Sequence, residues 1–238
     1  MKVVILCGGR GVRAFPFTEY LPKPMLPVGG TPIIAHIIKS YIAQGFKEFI
    51  LAAGYRKNVL DDYFDRKALG AHIDIIDTGD ASDTGDRIHA CRDLVGDTFL
   101  ATYGDGLSDV PVAEVIAHHQ RHGALATVTA VPLVSQYGVI KTDGQGLVTA
   151  LLEKPRMREQ WINAGFFVFS KEVFQHWHGH NLERDVLPRL VTMGRMAAYT
   201  HDGFFKSMDS YKDQQDFEEL FHPANPPWAC KTTLAASA

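Results

Sequence analysis

VVILCGGRGVRAFPFTEYLPKPMLPVGG, residues Val3 to Gly30, sets an apolar run against a burst of glycine and arginine and then a lysine held between prolines. Val3–Leu6 reads as a buried strand. In an open parallel sheet, ligands bind at the carboxyl ends of the strands, where loops meet helix N-termini. Gly8, Gly9 and Gly11 stand at such an end, where they let backbone approach a ligand closely and aim N–H groups at it. Arg10, Arg13 and Lys23 add positive charge, and the combination asks for phosphate. Two familiar glycine motifs do not fit. The P-loop needs its lysine directly after a glycine and followed by Ser or Thr, but Lys23 comes twelve residues after Gly11 and precedes Pro24. The dinucleotide fingerprint needs a helix opening from the loop, and Pro16, Pro22, Pro24 and Pro27 forbid one.

Working outward, apolar runs at Glu48–Ala53, His72–Ile76, Thr98–Tyr103 and Leu125–Pro132 read as further strands. Helical patterns alternate with them. Ile33, Ile34, Ile37, Ile38, Tyr41 and Ile42 share one face, with Thr31 as the expected N-cap, Pro32 as the first helical residue and Gln44-Gly45 as the stop. Shorter periodic groups around Leu60, Ile88 and Val115 supply three more helices. Strand and helix repeated in this order predict an α/β fold with a mostly parallel sheet covered on both faces. Beyond Pro132 the strands shorten: Tyr137–Lys141 and Leu147–Leu152, turned at Asp143-Gly144, and then Asn163–Phe169 are expected to add antiparallel strands to the same sheet. A helix over Arg184–Thr192, a strand pair within Met196–Met208 and a helix over Tyr211–Phe221 close the domain. The last residues, 223–238, are rich in proline, alanine and small polar residues and read as a flexible or oligomer-contacting tail.

The 238 residues are 46% hydrophobic and 21% charged, enough for one large domain with its own core. A net charge of −3 offers no surface for gripping polyanions, which sets aside nucleic acid and acidic membranes and leaves room for a small anionic ligand. Cys7, Cys91 and Cys230 are odd in number and far apart, as reduced thiols are. No apolar run has the length of a signal-peptide core or a membrane span, so the expected location is the cytoplasm.

Two carboxylates fall at strand ends. Asp105 lies between glycines in TYGDGLSDV, and Asp209 separates a strand from a helix in FFKSMDSYKDQQDF. Together they could hold one Mg²⁺, which takes oxygen ligands and bridges substrate phosphates. On spacing alone, a Gly-Asp-Gly turn and a helix cap are the commoner fates of such residues. His118 and His122 stand at i and i+4 but lack the Glu of H-E-x-x-H, so they read as surface histidines.

With Gly8, Gly9, Gly11 and Arg13, then Pro22-Lys23-Pro24-Met25 and Gly29 to Ile33, the chain resembles the sugar-1-phosphate nucleotidylyltransferase family. AAGYRKNVLDDYF, LEKPRMREQWINAGFFVF and YTHDGFFKSMDSYKDQQDFEEL extend the likeness over nearly the whole chain, toward members that take CTP and glucose 1-phosphate. The resemblance implies a Rossmann-like three-layer fold with a mixed, mostly parallel sheet, Mg²⁺ dependence, and formation of a CDP-sugar with release of pyrophosphate. It implies a single domain over 1–222, with a nucleotide-binding half at 1–132 and a sugar-phosphate-binding half at 133–222, and a homo-oligomer. It makes Arg13 and Lys23 catalytic and assigns the nucleotide to Leu6, Gly8, Gly9, Gly11, Arg13, Lys23, Thr78, Thr84, Gly85, Arg87 and Asp105. The sugar phosphate falls to Gly104, Glu153, Lys154, Asn163 and Gly165, and the metal to Asp105 and Asp209. Three positions depart from the family pattern: Val12 for a hydroxyl residue, Asp86 for glycine and Ala164 for the first glycine of Asn-Gly-Gly. The alternatives are the same reaction with UTP, dTTP or GTP or with another sugar, a dinucleotide-dependent oxidoreductase, and a non-catalytic nucleotide-sugar sensor. Against the oxidoreductase stands the lack of an acidic residue ending the second strand.

Overall fold

Val3, Val4 and Ile5 are fully buried and Leu6 nearly so, as in a parallel strand covered on both faces. The computed structural model describes residues 1–11 and 17–229. Its strands are β1 (Val3–Leu6), β2 (Pro27–Val28), β3 (Thr31–Pro32), β4 (Glu48–Ala53), β5 (His72–Asp77), β6 (Thr98–Tyr103), β7 (Gly106–Ser108), β8 (Ala126–Val134), β9 (Val139–Thr142), β10 (Val148–Leu152), β11 (Arg156–Ser170), β12 (Met196–Thr200) and β13 (Phe205–Ser207). The helices are α1 (Ile33–Ala43), α2 (Lys57–Arg66), α3 (Thr84–Ala90), α4 (Val112–His122), α5 (Leu187–Thr192) and α6 (Tyr211–Leu220).

Seven strands form the central sheet in the order β12-β8-β11-β6-β1-β4-β5. Every neighbouring pair is parallel except the two made by β11, which runs against both β6 and β8. One face is packed by Ile33, Ile34, Ile37 and Ile38 of α1, Leu60 of α2, Val112 and Val115 of α4 and Phe217 of α6. The other is packed by Ile88 of α3 with Leu187 and Leu190 of α5. The result is the expected three-layer α/β architecture with a mixed, mostly parallel sheet.

Three local expectations change. β9 and β10 form a two-stranded sheet of their own, an excursion between β8 and β11, and only β11 joins the main sheet antiparallel. β12 and β13 do not pair with each other: β12 runs parallel to β8 and β13 pairs with β7. Asp109 accepts the Phe204 N–H at 2.7 Å and bonds the His201 ring at 2.7 Å, which ties the link between β12 and β13 to the end of β7. Helix α1 starts one residue later than expected, with Pro32 in extended conformation as its cap, because Thr31 is taken up in pairing with Val28. The final segment is packed on this chain as far as it is described: Trp228 is only 3% exposed and stacks on Phe221, with ring centroids 6.1 Å apart.

Candidate active site

A cleft of about 590 Å³ opens at the carboxyl ends of β1 and β6, lined by Leu6 from the first and Tyr103 from the second. At its floor Lys23 stands in a single 3₁₀ turn, Lys23–Met25, entered through the extended Pro22. Pro22 and Pro24 restrict the backbone on either side, and the turn is closed by Met25 N–H donating to Pro22 O at 2.8 Å. The Lys23 side chain is buried, and its ammonium donates to Asp105 Oδ2 at 2.6 Å and to Asp209 Oδ1 at 2.9 Å. Asp105 occupies the tight turn between β6 and β7, tied down by Met208 N–H donating to its carbonyl at 2.8 Å. Asp209 precedes α6 without capping it. Ser210 is the N-cap, in a reciprocal box with Asp213, and Ser207 Oγ donates to Asp209 Oδ2 at 3.0 Å.

The two carboxylates thus converge on one cationic position. Oxygen donors from two strand ends suit a divalent metal that takes its remaining ligands from water and phosphate. Among the described residues no group of three or more His, Cys, Asp or Glu side chains is placed to enclose a metal alone. The donor set therefore fits a substrate-bridging ion and not a structural one.

Above Lys23 the glycine loop runs along the cleft wall. Gly8 is required by Arg87: a Cβ there would meet Arg87 Nη1 at 2.0 Å. Gly11 has φ +60 and packs on the Lys23 stem, where a Cβ would lie 2.8 Å from that of Lys23. Arg87 is buried and donates to Ala53 O at 3.1 Å, Gly8 O at 3.0 Å and Thr78 Oγ1 at 2.5 Å. Its guanidinium is thereby committed to clamping the loop against the ends of β4 and β5.

Of the residues expected here, Leu6, Gly8, Gly9, Gly11, Lys23, Thr84, Arg87, Gly104, Asp105, Asn163 and Asp209 line the cleft. Arg13 and Val12 lie outside the described residues. Thr78, Gly85 and Gly165 stand behind the lining: Thr78 supports Arg87, Gly85 lets α3 approach His180 O, and Gly165, at φ +77, makes room for the Tyr103 ring. Glu153 and Lys154 do not line it. Lys154, at φ +44, faces an adjoining cavity of about 820 Å³ that shares Ile162, Phe205 and Ser207 with the cleft.

Glu183 and Tyr103 also line the cleft and were not anticipated. Burial first, and the Glu183 carboxylate next, push the Tyr103 phenol well above its ordinary pKa. Glu183 sits 99 residues from its partner Thr84, inside a run that reads as an ordinary acidic helix start, so spacing carried no signal for it. Asp86, one of the departures from the family pattern, is the N3 member of the α3 capping box and bonds the His180 ring at 2.8 Å. Ala164, another, is buried in the cleft wall.

A model of the nucleotidyl transferase family matches residues 2–211. The chain belongs to the nucleotidyl transferase family. Among relatives of this nucleotidyl transferase are a probable glucose-1-phosphate cytidylyltransferase of Bacillus subtilis, 36% identical over 96% of this chain and 99% of its own, and the glucose-1-phosphate cytidylyltransferase of Salmonella typhi, 34% identical over 96% and 98%. A UTP–glucose-1-phosphate uridylyltransferase of Synechocystis is 30% identical over 82% of this chain and 56% of its own. In fold, the nucleotidyl transferase resembles HddC of Yersinia pseudotuberculosis, with a TM-score of 0.76 and 22% identity over 93% of this chain and 99% of that one. The expected enzyme class is therefore met: the chain is a nucleotidyltransferase resembling glucose-1-phosphate cytidylyltransferases. No helix among the described residues is long and apolar enough to cross a membrane.

Proposed function

We propose that this nucleotidyltransferase joins glucose 1-phosphate to CTP, giving CDP-glucose and pyrophosphate. The observation that carries the reading is Lys23, held between Asp105 and Asp209 directly beneath the glycine loop. The near-full-length likeness to cytidylyltransferases supports the choice of base and sugar. A sugar 1-phosphate is already nucleophilic at neutral pH, since a phosphate monoester has its second pKa near 6. The protein must align it in line with the α-phosphorus and offset the repulsion of two anions. Backbone around Gly8, Gly9 and Gly11 cradles the triphosphate, Lys23 and Arg13 bind its charge, Asn163 holds the sugar phosphate in the cleft, and Lys154 approaches it from the adjoining cavity. Alignment of this kind can lower a barrier by roughly 7–11 kcal/mol. When bound between Asp105 and Asp209, Mg²⁺ would supply further positive charge to the phosphates.

We also propose assembly with copies of the same chain. Ile140, Leu147, Val148 and Leu151 are each more than half exposed on the β9–β10 hairpin, whose strands pair with no others among the described residues. A lone hairpin is marginally stable in water. A second copy offers the same apolar patch for an isologous contact.

Pyrophosphate release measured with glucose 1-phosphate and each of CTP, UTP, dTTP and GTP tests the reading. CTP is expected to be consumed fastest. A faster rate with another triphosphate reassigns the base, and no release with any of them overturns the reaction.

A further inference from the structure

The cleft holds a chain of side chains that crosses from its nucleotide wall to its sugar wall. Thr84, the first residue of α3, donates its hydroxyl to Glu183 Oε2 at 2.7 Å. Glu183 lies on a π-helical turn, Leu182–Val186, and its other oxygen accepts the phenol of Tyr103 at the end of β6. The Tyr103 oxygen in turn accepts from Asn163 Nδ2 at 3.3 Å, and Asn163 Oδ1 accepts the Gly165 N–H at 2.7 Å.

We propose that Glu183 is a positioning residue that fixes the amide of Asn163 toward the sugar 1-phosphate, acting through Tyr103. The inference rests on the sugar-side reading of Asn163 given above. A carboxylate accepts hydrogen bonds and donates none, so both neighbouring hydroxyls must point their protons at Glu183. The Tyr103 oxygen then has only its lone pairs left for Asn163, which must answer with Nδ2. Turning the Asn163 amide over would set two acceptors together at Tyr103 and two donors together at Gly165. Glu183 at one end and the Gly165 N–H at the other therefore set the polarity of the chain, and Asn163 offers its remaining N–H and lone pair to the cleft in one orientation. Gly165 belongs to the same device, because a Cβ there would lie 2.0 Å from Tyr103 Cδ2 and drive the ring away. Without Glu183 the phenol is free to turn its proton toward Asn163 Nδ2, and the Gly165 N–H alone is left to hold the amide.

The test compares Glu183→Leu, Glu183→Gln and Tyr103→Phe in steady-state kinetics with CTP and glucose 1-phosphate. Gln keeps an acceptor oxygen for Tyr103, a neutral hydrogen bond replacing a charge-assisted one, and is expected to raise KM for glucose 1-phosphate distinctly less than Leu does. Glu183→Leu and Tyr103→Phe are each expected to raise KM for glucose 1-phosphate roughly tenfold with kcat little changed. In an Asn163→Ala background Glu183→Leu should cost nothing more, since residues acting through one another are not additive. An unchanged KM in Glu183→Leu, or an equal loss with and without Asn163, overturns the proposal. If the wild-type enzyme releases no pyrophosphate with any of the triphosphates, the functional reading falls separately. The side-chain amide resonances of Asn163 then decide: they must shift in Glu183→Leu and hold in Glu183→Gln, and resonances unmoved in both overturn the inference.

Discussion

Lys23 and Asp105 are joined across 82 residues of sequence by an ion pair of 2.6 Å at the floor of the cleft. Asp209 completes the arrangement at 2.9 Å, so the Lys23 ammonium stands where two carboxylates converge. Lys23→Ala and Asp105→Asn should each lower turnover about 10²–10³-fold, the range seen when one preorganised charge or donor is removed from a reacting site. Pyrophosphate release, read beside circular dichroism showing a retained fold, checks both.

A metal bound between Asp105 and Asp209, as proposed above, would compete with the same ammonium for the carboxylates. In the absence of nucleotide, Lys23→Met should bind Mn²⁺ more tightly than wild type does, because the Lys23 charge no longer repels the metal. Asp209→Asn should weaken binding. Titration followed by electron paramagnetic resonance gives both affinities, and a chelator should abolish wild-type turnover until Mg²⁺ is restored.

Arg87 predicts a loss of stability before a loss of chemistry. Its fork reaches Ala53 O, Gly8 O and Thr78 Oγ1 at once, which a lysine cannot imitate. Arg87→Lys and Arg87→Met should both destabilise the fold by about 1.5–3 kcal/mol, the size of a hydrogen bond to a charged group. Urea unfolding measures the loss. KM for the triphosphate should rise in parallel as the Gly8 loop loosens.

Much of this site was legible because its residues sit in loops that interrupt apolar strands. Gly8 to Lys23 and Asp105 each follow a run whose burial on both faces leaves no other reading than a central strand. Glu183 was not legible: its partners lie on other elements, and only the folded chain brings Thr84 and Tyr103 to it. β11 was read only from Asn163 onward, because its first half, RMREQWI, is mostly exposed and carries no buried alternation. The β9–β10 hairpin was seen but misplaced, since local pattern reports that two strands pair with each other and not which sheet receives them.

Stability should fall as pH drops below about 6.5. His36 is buried, with Nε2 2.9 Å from Val28 O and its ring edge-on to Phe221 and Trp228. Burial holds its pKa below the ordinary 6.5 against the opposing pull of the Val28 carbonyl, and the Lys39 charge adds to burial. The unfolded chain therefore takes up the proton first, so stability is full above 6.5 and is lost as pH falls toward the depressed folded value. His119, lowered by burial and then by His118, contributes in the same direction. Tm should decline from pH 7.5 to 5.5, and His36→Gln should remove part of that slope.

The hairpin patch can be tested by charge. Ile140 and Leu151 are cross-strand partners, 59% and 68% exposed. Replacing both with Asp should leave the cleft intact and lower the mass measured by light scattering to that of one chain.

β11 also decides how this chain comes into being. β8 and β12 reach β6 only through β11, so the sheet is completed out of order, and residues up to 155 leave the edge of β6 unpaired. Pairings between distant parts of a chain form slowly, and an open strand edge is a template for wrong partners. Until Arg156–Ser170 arrives, that edge is expected to be open to wrong pairing during synthesis. An N-terminal fragment ending at Pro132 should be insoluble, although it carries the glycine loop, Lys23 and Asp105.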